Sequence, residues 1–189
     1  MSQVLTETML MLSNALLVPD IVLLLLMMAL TLVQLGAWTA EALQRRSLAP
    51  AWRKLLERLQ TDPELKASLE DLPPRFGLFA RAFRSVPANR EKALDDLELL
   101  AERLLLRLGL GIRLGPMLGL AGTLIPLGPA LVALSQGDFS TLSTKLVVAF
   151  TSTVIGLFVG AACFVMHAFR KRWYTQDLSD IEFVTGRLA

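Results

Sequence analysis

The chain has 189 residues, 53% of them hydrophobic, and a mean hydropathy of +0.52, which excludes an ordinary soluble domain. The formal net charge of +2 is no argument for nucleic acid, because the basic residues follow the layout of the apolar stretches. The single cysteine, Cys163, excludes an intrachain disulfide.

The first element is "VLTETMLMLSNALLV", a mixed apolar and polar run that predicts a helix within 1–18 lying along the outer interface. Pro19-Asp20 then reads as a helix start, with Asp20 favoured there by the macrodipole rather than by an ion-binding role. Residues 21–40 carry no charge and are long enough, at about 1.5 Å per residue, to cross roughly 30 Å of hydrocarbon. No Lys or Arg precedes Arg45, so the positive region of a cleaved signal is missing and this stretch is expected to be a retained span. Its helix is expected to continue to about residue 48, making 19–48 one span with a cytoplasmic extension.

Residues 49–107 read as a cytoplasmic helical region with breaks. A helix is expected at 51–60. Thr61 and Glu64 stand at capping-box spacing, with Pro63 in a first-turn position, and Pro73-Pro74 ends the helix they begin. "RFGLFARAF" is a short apolar-basic segment stopped by Pro87. From Asn89 a long amphipathic helix runs toward the second span, with Leu94, Leu97, Leu100, Ala101, Leu104 and Leu108 on one stripe. The end of span one or a neighbouring copy would cover that stripe.

Residues 108–169 hold two further uncharged stretches, 114–134 and 146–166, expected to form a hairpin of transmembrane helices. A polar tail, 170–189, follows, with Trp173 and Tyr174 where an interfacial aromatic belt would sit. Of 19 Lys and Arg residues, 14 fall between Arg45 and Arg113 and four follow the third span. The positive-inside bias therefore predicts an all-α membrane protein with three transmembrane helices, N-terminus out and C-terminus in.

Soluble-enzyme motifs are missing, so no enzyme, cofactor or metal is expected. His167 lies four residues after Cys163, but two ligands do not close a metal site. Spans two and three contain no carboxylate and no basic residue, only hydroxyls: Thr123, Thr151, Ser152 and Thr153. Gly115, Gly119 and Thr123 repeat every four residues. On the third span Ala149, Thr153 and Gly156 share a face, and Ser152, Gly156 and Gly160 form a small-residue ladder. Pro116, Pro126 and Pro129 loosen span two, which suits a helix lining a cavity better than one facing lipid. The expected packing residues are Gly115, Pro116, Gly119, Gly122, Gly156 and Gly160, and the expected ion-pathway residues are Thr123, Thr153 and Ser152.

"LGPMLGLAGTLIPLG" and "AFTSTVIGLFVG" resemble the Pro-x-x-Gly-Leu-x-Gly-Thr and Thr-x-x-Gly-Leu patterns of the MotA/TolQ/ExbB proton channel family. The likeness covers about 108–170, with the rest similar in layout. It implies a homo-oligomer, a pentamer, around a single-span partner of the ExbD/TolR/MotB type, whose intramembrane aspartate carries the proton past Thr123 and Thr153. It also implies the inner membrane of a prokaryote. Val148 stands where ExbB and TolQ proteins usually have a glutamate, five residues before the span-three threonine, so the chain resembles a divergent ExbB-like subunit. The expected function is a pore-forming subunit that converts proton motive force into mechanical work for transport or an envelope process. The alternative is a non-conducting scaffold or accessory subunit of a transporter, in which the small-residue ladders only assemble a bundle.

Overall fold

A computed structural model describes residues 2–62, 78 and 90–186. These form three helices, α1 (Ser2–Thr61), α2 (Arg90–Ser135) and α3 (Phe139–Thr185), with no strand among the described residues. All three are long and apolar enough to cross a membrane. The expected all-α, three-span class holds.

Helix boundaries differ from expectation at α1. The helix start expected at Pro19-Asp20 is not there, and neither is the separate helix at 51–60: α1 runs unbroken from Ser2 through Pro19 and Pro50 to Thr61. A proline's fixed φ is compatible with a helix, and the cost is one amide and some crowding. In a helix this long the flanking turns carry that cost. Thr61 is the last helical residue, its hydroxyl donating to the Glu57 carbonyl at 2.8 Å. The capping partner Glu64, Pro63, Pro73-Pro74, the "RFGLFARAF" segment apart from Leu78, and Pro87 lie outside the described residues.

Helix α2 likewise passes through Pro116, Pro126 and Pro129. It ends in a tight turn at Gly137, whose φ of 74° is the left-handed conformation that a residue without Cβ adopts freely. The Asp138 amide donates back to the Ala133 carbonyl at 2.9 Å, closing the helix end. The Asp138 carboxylate then accepts the Thr141 amide at 3.0 Å and caps the N-terminus of α3.

The chain divides into two compact units, each drawing on all three helices. The first comprises Met1–Gln34 and Leu108–Val165. Its outward positions are large and apolar, including Leu25, Leu26, Leu30, Leu120, Leu124, Phe150, Val154 and Leu157, all exposed. Such a surface is stable against lipid or further apolar helices rather than water. This is a multi-pass membrane protein.

The second unit comprises Leu35–Arg107 and Met166–Ala189. Its core joins Trp52 and Leu59 of α1, Leu97 and Ala101 of α2, Tyr174, Ile181 and Val184 of α3, and Leu78. The α2 stripe is covered by these α1 and α3 side chains within one chain. Tyr174 is therefore buried rather than set in an interfacial belt, and Trp173 stacks on Trp38 with centroids 6.2 Å apart. Beside that stack, Arg45 makes two hydrogen bonds to Asp177, 2.9 and 2.6 Å, and pairs with Glu41 at 3.2 Å. Arg170 approaches the other Glu41 oxygen at 3.3 Å.

Candidate ion-pathway site

The hydroxyls of spans two and three are positioned by the way α2 meets α3. Both helices have glycine where they touch, so main chain lies against main chain. A Cβ on Gly156 would lie 2.5 Å from the Gly115 carbonyl and 2.7 Å from the Gly119 Cα. One on Gly119 would lie 3.1 Å from both the Gly156 Cα and the Ser152 carbonyl. Gly160 faces the Pro116 ring, with its missing Cβ 2.8 Å from Cγ. No other residue type allows that approach without the helices separating, and close backbone packing is what holds helices together in lipid.

This seam fixes where each hydroxyl stands. Thr153 is half-buried and its Oγ1 donates across the seam to the Gly119 carbonyl at 3.4 Å. Ser152 is buried one residue earlier and donates to the Val148 carbonyl of its own helix at 2.9 Å. Thr123 is half-buried, one residue beyond Gly122, and donates to the Leu120 carbonyl at 2.6 Å. The structure thus brings Ser152 and Thr153 of α3 together with Gly119 and Gly122 of α2. The Thr123 hydroxyl turns back on its own helix. Each of the three keeps oxygen lone pairs with which to accept a further proton or hydrogen bond.

Two parts of the first unit were not expected from the sequence. Cys163 packs at the missing Cβ of Gly111, and its sulfur lies 3.8 Å from Thr31 Oγ1 on α1. Gly111 continues the four-residue ladder of Gly115 and Gly119 one turn earlier, and that spacing was the available signal. The second is Asp20. It is not at a helix start, since α1 begins at Ser2, and it is buried against the hairpin at Gly122.

A sequence model of the MotA/TolQ/ExbB proton channel family matches residues 85–182, more than half of the chain. The chain belongs to that family. The match takes in all of the α2–α3 seam, with Thr123, Ser152 and Thr153 inside it. No curated protein and no solved structure matches the chain significantly. Family membership makes this a subunit of the proton-channel class.

Proposed function

We propose that this MotA/TolQ/ExbB protein is the pore-forming subunit of a proton-driven membrane motor. Copies of the chain, five by family resemblance, surround the single spans of an ExbD/TolR/MotB-type partner, whose intramembrane aspartate carries the proton. The observation that supports this best is the all-backbone seam between α2 and α3, with the Thr153 hydroxyl bridging it to Gly119 and Thr123 one turn on. A rigid, nearly neutral wall with a few hydroxyls suits a socket for another protein's charge. It stabilises a neutral or transiently charged carboxyl without trapping it in an ion pair. A proton crossing the field releases about 2.3 kcal/mol per 100 mV, enough to bias a step between two packed helix arrangements.

The basic residues between Arg45 and Arg113, and those after the third span, favour placing the second unit in the cytoplasm and the N-terminus outside. The membrane is then the inner membrane of a prokaryote. In that orientation the Arg45–Asp177–Glu41–Arg170 cluster ties α1 to α3 on the cytoplasmic side, where a rotation of the partner would have to be resisted.

The test is proton flux in vesicles holding the chain with its partner under an imposed potential. Thr153→Val should lower flux by about tenfold, equivalent to roughly 1.4 kcal/mol in the barrier, with assembly intact. Thr123→Val should do the same. Wild-type flux in both variants would remove the hydroxyls from the path.

A further inference from the structure

Among the described residues of the first unit, Asp20 is the one buried acid. It is only 7% exposed, and its Oδ2 has no hydrogen-bond partner. Because α1 begins at Ser2, the free amides of a helix N-terminus are several turns away and cannot satisfy it.

Asp20 Oδ2 lies 3.0 Å from the point where a Gly122 Cβ would stand, and Ser152 Oγ lies 2.9 Å from the same point. The absent Gly122 side chain therefore leaves a small space that acid and hydroxyl share. Ser152 spends its one proton on the Val148 carbonyl, so towards any other group it can only accept. A carboxyl oxygen and a hydroxyl oxygen thus border the same small space, and the hydroxyl's proton is already engaged elsewhere. Burying such a set is costly unless something supplies a hydrogen or a positive charge. The carboxyl's own proton is the smallest group that does so.

The level of this site matters. Ser152 lies six residues, or about 9 Å, inside the uncharged stretch that begins at Leu146. Asp20 packs at that level, so the membrane-crossing part of α1 reaches further toward its N-terminus than residue 21. Thr123 and Thr153 are the sequence neighbours of Gly122 and Ser152.

We propose that Asp20 is a proton-exchanging carboxyl contributed by this chain, set inside the membrane where α1 meets Gly122 and Ser152. It deepens the motor reading, on which its place in a proton path rests. The step is a bare proton transfer: an O–H bond forms on Oδ2 with a proton delivered by hydronium, and breaks when that proton passes to the next oxygen acceptor. Asp20 serves as a station between water and the hydroxyls of the hairpin.

Two measurements test this. The first uses the full chain alone in lipid vesicles and reads the carbonyl stretch of a protonated carboxyl by infrared difference spectroscopy. Wild type minus Asp20→Asn should show that band, and it should shift on transfer to heavy water. No band, or a band that never exchanges, would overturn the proposal and leave Asp20 a sealed structural acid. A response to sodium at constant pH would overturn it in favour of a sodium site. The second is proton flux in vesicles holding the chain with its partner. Asp20→Asn should reduce flux by about tenfold with the oligomer unchanged, and Asp20→Glu should restore part of it. Wild-type flux together with unaltered Asp20→Asn flux sinks this inference and leaves the motor reading standing. No wild-type flux at all sinks both.

Discussion

At the scale of single residues, a hydroxyl in a membrane helix has two lives. It can satisfy its own helix's carbonyl at little cost, or it can serve a passing group. Thr123 and Ser152 do the first in this chain, while Thr153 reaches across to Gly119. Replacing Thr153 by Ser, which keeps the hydroxyl, should therefore preserve flux where Val lowers it. Equal losses in Ser and Val variants would mean that the methyl group, not the oxygen, matters. The threonines were legible in the sequence because they interrupt charge-free stretches. Asp20 was misread for a physical reason: Pro19-Asp20 has the local chemistry of a helix start, and only the unbroken course of α1 shows otherwise. No local signal reports that Gly122 lies opposite, since that contact joins residues about a hundred positions apart.

At the scale of elements, the α2–α3 hairpin stands on absent side chains. Gly156→Leu would drive a side chain into the Gly115 carbonyl and the Gly119 Cα. It should separate the two helices and abolish assembly, read as a lighter species in mild detergent. A normal oligomer in that variant would refute the seam's role. The turn between these helices carries a second prediction. Hydrogen bonds from Thr141, through its side chain and its amide, hold the Asp138 carboxyl below the usual carboxylate range. The folded-state value is the lower one, so this stabilisation is present above about pH 4 and is lost as the pH falls through the lowered value. The Thr141 amide should exchange faster as the pH falls through that range, after correction for intrinsic rates. In Asp138→Asn, which caps without charge, it should not. The glycine ladders were visible as a four-residue repeat, and the three spans as uncharged runs. The length of α1 was not, because Pro19-Asp20 marked a start that the long helix overrides.

At the scale of the whole molecule, each of the two units is held by its own kind of chemistry. The first relies on backbone contact in an apolar surround. The second has a water-type core of Trp52, Leu59, Leu97, Tyr174 and Ile181, with a buried ionic cluster beside it. Burial works against the charge on Arg45, yet hydrogen bonds and attraction from Asp177 and Glu41 outweigh it and keep the guanidinium charged. Arg45→Met would strand Asp177, leave Glu41 with Arg170 alone, and should cost about 3–5 kcal/mol in the second unit, measured by denaturant unfolding in mild detergent. Arg45→Lys should recover only part, since an ammonium cannot make the paired contacts to Asp177. A loss below about 1 kcal/mol for Arg45→Met would show that the cluster is solvated. The α2 stripe at Leu97 and Ala101 foretold a packed face, but the aromatic partners on α3 were hidden in what reads as a polar tail.

A socket for another protein's charge should be found assembled around that protein. Native mass spectrometry of the complex, purified from its own host in mild detergent, tests it most directly. Five copies of this chain are expected with a small single-span protein that carries an aspartate in its span. A stable complex with a transporter permease and no such protein would contradict it, and would make the hairpin a scaffold.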